Sequence, residues 1–521
     1  MIFHESSRTI IYEPGTELPE GVPYEERNGY KLVRASYAVL LLLARARLPV
    51  PSPLLSYDWP CRPGEQAMET QKLVTAHMVL HPRSYVFSDM RTGKTRAALW
   101  ACDWLMSRAR KRIKAVVVTD IEAMTKTWVP EIRSSFLGRR SWAVLHGTAK
   151  QREKALAEDV DFYLINHDGL RVGYKRQHDK CTGLAKALLE RDDLQIAVFD
   201  EAATYRNRAT HCFGAAFRLV SSRATFAWAL TGTPTPNGPL DAYGIKKLID
   251  LDFKMPYLEW QDKVTQSAGP FRRVPKPGAE AEVDRLLSPA VRISRDQCFE
   301  ESPLEVSTVH APMSDRQKYF MRKLQDQLLV MLDNGAEIPA VNQAALRAKL
   351  IQIACGAVYG EDHEVHEVDA GPRLAAFTKI VDETSGKMIV FSPLTSVVHM
   401  LHKHLGKDRC LMVSRATQSD KERREVVNAF IAGREKVLVS HPAPISRGLD
   451  LTVAETIIWY APVDRTEYYL QANQRINGPR QKRVRRIIRL SGSVVEDDIY
   501  DKLERNEHLQ GAILRLKEMR F

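Results

Sequence analysis

Short apolar runs that end in polar or small residues recur along this chain, separated by amphipathic stretches. "SYVFSD" (84–89), "KAVVVTD" (114–120), "DFYLIN" (161–166), "QIAVFDEA" (195–202) and "FAWALTG" (226–232) form one series. Each has the length and composition of a buried strand. Strands alternating with helices build a parallel sheet, whose ligand site lies at the carboxyl ends of the strands. Between 246 and 370 the pattern turns helical, in "MSDRQKYFMRKLQDQLLVMLDNG" and "NQAALRAKLIQIACG". From 372 the alternation returns with "GKMIVFS", "CLMVS", "EKVLVSH", "ETIIWYAP" and "RIIRLSG". Residues 1–60 hold turn signals ("EPGTELPEGVP"), one apolar helical stretch (36–47) and a proline-rich exit, "PVPSPLLSYDWP". The expected fold class is α/β. A small N-terminal accessory module (1–60) precedes a first parallel-sheet lobe (61–245), a helical insertion or linker (246–370) and a second lobe (371–521).

The 521 residues are 44% hydrophobic and 27% charged, as in ordinary soluble domains. The net charge of +12 suggests a polyanionic partner, nucleic acid first. None of the seven cysteines forms a C-x-x-C pair, so neither a zinc ribbon nor a disulfide framework is indicated, and a reducing cytoplasm fits. The run "AVLLLLARA" (38–46) is too short to span a bilayer, so no membrane partner is expected. The first residues lack the basic-then-apolar pattern of a signal peptide.

The chemistry concentrates at the strand ends. "SDMRTGKTR" (88–96) places Gly93-Lys94-Thr95 between a strand and a helix, the context a phosphate-binding loop requires. There Lys94 would reach the β- and γ-phosphates, and Thr95 would ligate Mg²⁺. "VFDEA" delivers Asp200 and Glu201 to a strand end, one carboxylate to hold Mg²⁺ and the other to polarise an attacking water. "LTGTPTPNGPLDAYG" (230–244) ends a strand in Thr231 and Thr233, hydroxyls able to relay the γ-phosphate state.

This series resembles the motor of helicase superfamily two, and within it the Swi/Snf-type ATPases, especially the short phage and bacterial members. "TQK" (70–72), "DMRTGKT", "VVVTDIEAMTKTWVPEI", "DEAATYRN", "LTGTPTPNGPLDAYG", "VRISR" (291–295), "KMIVFS", "SRGLDLTVAETIIWY" (446–460) and "QANQRINGPRQKR" (471–483) match its motifs in order. The resemblance implies two RecA-like lobes, with ATP and Mg²⁺ as nucleotide and metal. It implies that Gln71 reads adenine, that Thr92, Gly93, Lys94 and Thr95 hold phosphates, and that Thr95 and Asp200 hold the metal. Glu201 becomes the base, Asp450 touches the ribose, and Arg475 is an arginine finger. Thr231, Thr233 and Gly448 couple nucleotide state to motion. Three positions depart from the family pattern: Arg91 and Gly478 stand where it has glycine and a second arginine, and Ala203 where it has histidine. Arg480 is the expected substitute for the missing arginine.

The resemblance further implies a DNA partner held mainly through phosphates, duplex or branched, with Lys126, Trp128, Ser414, Arg415 and Arg447 as contacts. The "INHDGL" loop (165–170) and the basic run "RQKRVRRIIRL" (480–490) are further candidates; for the run, the alternative is the solvent face of a strand. The expected function is an ATP-dependent translocase that remodels replication or recombination intermediates, with proteins of those processes as partners. The cytoplasm of a bacterial host is the expected location. The rivals are a strand-separating or branch-migration helicase, an RNA-directed motor, and a DNA-binding scaffold with a decayed ATPase.

Overall fold

The computed structural model describes the chain apart from residues 176–179, 268–272, 300–301, 334–339, 360–364, 415–417, 446–450, 479–482 and 516–521. It divides into two units, built on Met1–Cys298 and Phe299–Leu509.

The first unit opens with a small antiparallel sheet of β1 (Ile2–His4), β2 (Thr9–Tyr12), β3 (Tyr24–Arg27) and β4 (Tyr30–Arg34), in the order β1-β2-β4-β3. Asn28 and Gly29 join β3 to β4 with φ of 52° and 81°. Two positive-φ residues in a two-residue loop are what a tight hairpin needs. Ile10, Tyr12 and Val33 point inward against Val39, Leu40 and Leu43 of helix α1 (Tyr37–Arg45). Leu80 of the following lobe completes this core, and the Tyr37 hydroxyl donates to the Val79 carbonyl at 2.6 Å. The proline-rich stretch after α1 is pinned down: Tyr57 donates to Asp103 (2.7 Å), and the Trp100 indole donates to the Pro60 carbonyl (2.7 Å).

The first large sheet is parallel throughout. Its strands are β5 (Arg83–Ser88), β6 (Lys114–Thr119), β7 (Trp142–Leu145), β8 (Phe162–Asn166), β9 (Leu194–Asp200), β10 (Phe226–Thr231) and β11 (Ala290–Ile293), in the order β11-β5-β10-β9-β6-β8-β7. Helices α2 (Glu69–Leu80), α3 (Lys94–Arg108) and α4 (Val129–Phe136) belong to the same lobe. Every residue of α3 from Ala97 to Met106 is buried, which explains its run of small and aromatic side chains.

The second unit carries another parallel sheet: β12 (Leu304–His310), β13 (Lys387–Phe391), β14 (Cys410–Val413), β15 (Val437–Ser440), β16 (Ala454–Trp459) and β17 (Arg485–Ser491), ordered β12-β17-β16-β13-β15-β14. Helix α5 (Gly371–Glu383) and the terminal helix α6 (Val494–Arg515) meet through a buried pair, Arg373 with Glu496 at 2.7 Å. Two helices, Asp315–Asp333 and Ala340–Cys355, lie within the stretch read as an insertion. That stretch also supplies β11 to the first sheet and β12 to the second. No helix among the described residues is long and apolar enough to cross a membrane.

Candidate active site

Strand order decides which groups meet. β5 carries the phosphate loop, β9 carries the carboxylates, and β10 runs between them. Strands in a sheet are about 4.8 Å apart, so loop and carboxylates face each other across about 10 Å. β10 ends at Thr231, which puts Thr231-Gly232-Thr233 in that gap. The approach is close. A Cβ on Gly232 would lie 3.3 Å from the Ser88 carbonyl oxygen and 4.0 Å from Lys94 Nζ.

The loop from Asp89 to Gly93 turns β5 into α3. Its two positive-φ residues are Arg91 (68°) and Gly93 (85°). The position where Arg91 replaces glycine therefore does adopt the left-handed conformation, at a cost on the order of 1 kcal/mol for a residue with a Cβ. Other bonds hold the turn. Thr92 Oγ1 shares a 2.5 Å hydrogen bond with Ser88 Oγ and donates to the Asp89 carbonyl at 2.8 Å. Asp89 accepts the Arg295 backbone N–H at 3.0 Å, so the chain beyond β11 clips the loop from the sheet edge. Lys94 Nζ lies back over the loop, donating to the Ser88 carbonyl at 3.3 Å. Gln71, 5% exposed, packs its amide against Gly93.

Asp200 is 6% exposed and held by three donors. Its Oδ2 accepts from the Trp128 indole (2.9 Å) and from Thr119 Oγ1 (3.1 Å), and its Oδ1 accepts the Glu201 N–H (3.1 Å). A carboxylate has about four lone-pair sites, so one remains for a metal or its water. Glu201 takes a left-handed backbone, φ 50°, which turns the chain at the strand end.

These residues fit a nucleoside triphosphate with Mg²⁺. The first N–H groups of α3 have no acceptor within the helix and favour an anion. The Thr95 hydroxyl and Asp200 carboxylate are the hard oxygen donors that Mg²⁺ takes. The buried Thr233 hydroxyl, between the loop and the carboxylates, has no hydrogen-bond partner in the structure. A buried orphan of this kind in a native protein calls for a ligand or water.

The structure corrects two of the expected nucleic-acid contacts. Trp128 is fully buried and bound to Asp200, so it cannot touch a polynucleotide from the surface. Ser414 is 2% exposed, with its hydroxyl 3.3 Å from His399 Nε2. Lys126 is partly exposed and paired with Glu122. The described part of the basic run, 483–490, divides between buried and exposed arginines. Arg485 donates to the Ser302 carbonyl (2.6 Å) and Arg489 to the Tyr469 hydroxyl (2.9 Å), both buried, while Arg486 is exposed beside Glu305. Asn166, Asp168 and Gly169 of the "INHDGL" loop line a cavity with Arg152, Arg171 and His211.

In the second unit, Arg475 is buried in a short 3-10 turn, Gln474–Ile476, and its carbonyl accepts the Leu451 N–H at 3.3 Å. Arg415, Arg447, Gly448, Asp450 and Arg480 lie outside the described residues.

The roles of Trp128, Thr119 and Glu131 do not emerge from motif matching. The sequence does hold one signal: Met124, Trp128 and Ile132 are spaced four apart and are all fully buried, the inward face of a helix.

Comparison with known proteins places these features. A profile described as "SNF2-related domain" matches residues 73–338, and one described as "Helicase conserved C-terminal domain" matches 372–477. The chain is similar to "Putative protein p41" of Acyrthosiphon pisum secondary endosymbiont phage 1, 25% identical over 439 residues, covering 79% of this chain and 88% of that one. It is also similar to the Sulfolobus solfataricus SWI2/SNF2 ATPase core in complex with dsDNA, at 18% identity and a TM-score of 0.40, covering 88% of this chain and 96% of that one.

Proposed function

The chain belongs to the SNF2-related family and carries its DNA-dependent ATPase core, and on that premise we propose that it is a motor that translocates on duplex or branched DNA and remodels replication or recombination intermediates. The observation that carries the reading is the meeting of Lys94 and Thr95 with Asp200 and Glu201 at strand ends separated by one strand. The net charge of +12 supports a polyanionic track.

In this reading Gln71 reads the base, and Thr92, Gly93 and Lys94 hold the phosphates. Thr95 and Asp200 hold Mg²⁺, which when bound neutralises charge on the phosphate oxygens. Glu201 orients a water and takes its proton as the water oxygen bonds to the γ-phosphorus and the bond to the bridging oxygen breaks. Thr231 and Thr233 sense the γ-phosphate beside the loop. Arg475 and Arg480 are the proposed arginine fingers, Asp450 the proposed ribose contact and Gly448 a proposed coupling residue. Lys126, Arg415 and Arg447 remain the proposed phosphate contacts along the DNA.

The test is steady-state ATP hydrolysis by the full chain, alone and with single-stranded DNA, duplex DNA, a fork and RNA, at two salt concentrations. Strong stimulation by duplex or forked DNA, weakened by salt and lost in Lys94→Ala, is expected. Stimulation by RNA alone, or no turnover with any polynucleotide, overturns the reading.

A further inference from the structure

The two residues proposed to hold Mg²⁺ are braced by one segment. Residues Met124–Trp128 form a π-type turn, closed by the Val129 N–H bonding to the Met124 carbonyl, and run into α4. Such single π turns inside helices recur at functional sites. From the end of this turn the Trp128 indole reaches Asp200 Oδ2 at 2.9 Å. Three residues on, on the same helical face, Glu131 receives Arg96 Nε on Oε1 at 2.5 Å and Arg62 on Oε2 at 2.5 Å. Arg96 is the chain neighbour of Thr95. Burial alone would raise the Glu131 carboxyl; the bonds from Arg96 and Ser135 overcome it and hold the group below its ordinary range, ionised at neutral pH.

We infer that Trp128 and Glu131 are positioning residues for the metal: together they set the placement of Asp200 and of the helix turn that bears Thr95. The inference rests on the ATPase reading above. Trp128 fixes which oxygen of Asp200 faces the metal, because the indole and Thr119 occupy Oδ2 and leave Oδ1 the freer one. Glu131 fixes the first turn of α3 through Arg96. Neither residue touches nucleotide or metal. Their effect is therefore on metal affinity and not on nucleotide binding without metal.

The experiment measures binding of a fluorescent ADP analogue to the full chain, first in EDTA and then along a Mg²⁺ titration. Trp128→Phe keeps the aromatic packing and removes the N–H. Its affinity in EDTA should match the wild type, while the Mg²⁺ concentration for half-maximal tightening rises roughly 10-fold, the scale seen when groups that orient metal ligands are removed. Glu131→Gln, which keeps the shape, is the second variant and should shift in the same direction. A folded Trp128→Phe or Glu131→Gln protein whose Mg²⁺ titration overlays the wild type overturns the inference and leaves the ATPase reading intact. Failure of the wild type to bind nucleotide at all overturns both.

Discussion

The side-chain amide of Gln71 fills the space that a Cβ on Gly93 would need: the two would lie 1.9 Å apart. Gly93 also sits at φ 85°. Gly93→Ala therefore meets two penalties, one steric and one conformational, the second about 1–2 kcal/mol. The free loop can escape both by leaving the phosphate-binding shape, and nucleotide must then restore it, so affinity should fall by up to roughly 10-fold, since 1.4 kcal/mol is a factor of ten. Adding Gln71→Ala should restore only part of it, because the backbone penalty stays. Equilibrium binding of labelled ADP to the three proteins measures both parts.

Arg91→Gly should relieve the left-handed strain and raise stability by about 0.5–1 kcal/mol, after the flexibility glycine adds to the unfolded chain. It should also weaken ATP binding several-fold, through loss of a guanidinium beside the phosphates. Urea unfolding and the KM for ATP read the two effects separately. A variant that gains stability and binds ATP as before would show that Arg91 has no part in nucleotide binding.

Glu201→Gln should bind ATP with Mg²⁺ like the wild type and lose hydrolysis by roughly 10²–10⁴-fold, the usual contribution of a general base. Single-turnover hydrolysis with prebound ATP isolates the step. Turnover at the wild-type rate would assign the base to another residue.

Asp193 gives a pH test. Burial alone would raise its carboxyl, but hydrogen bonds from Arg191 and Lys114 bring it from the ordinary 3.8 down to about 2. A folded-state value below the unfolded one means stabilisation that is fully present above about pH 4 and lost as the pH falls toward 2. Asp193→Asn should flatten the loss of stability between about pH 5 and about pH 2.5. Urea unfolding of both proteins at those two values measures it.

The pair of Arg373 and Glu496 in the second unit is 1% and 0% exposed. Arg373 also donates to the Tyr460 and Leu490 carbonyls. Glu496→Ala would leave a guanidinium buried without its counter-charge, at a cost of about 3–5 kcal/mol. Urea unfolding of the full chain followed by circular dichroism should show a transition at markedly lower urea.

Both parallel sheets are legible in the sequence because their inner strands are buried on two faces, so these read as unbroken apolar runs such as "AVVV" or "FYLI". The ends of those runs mark Ser88, Asp200 and Thr231, and with them the loop, the carboxylates and the threonines. The N-terminal sheet is harder to see. Its strands are three to five residues long, and "RNGY" carries the Asn-Gly hairpin signal inside a stretch that resembles loop. Edge strands β11 and β12 fall within a stretch dominated by helices. Motif matching assigns Trp128 to nucleic acid because it says where a residue stands in the chain and not which way it faces; the spacing of Trp128 from Met124 and Ile132 says that it faces inward.

The turn at Met124–Trp128 sets a limit of a different kind. A π turn spends one residue more than an α-helix over the same rise. Losing one of residues 124–127 would let the segment relax to ordinary helix with α4 facing nearly the same way, whereas losing two would rotate α4 by about 100° relative to the chain before the turn. Trp128 would then leave Asp200, or Glu131 would leave Arg96, with no change in either side chain. Across natural variants, then, this stretch should change its letters freely at the exposed Thr125 and Thr127, yet shorten by no more than one residue.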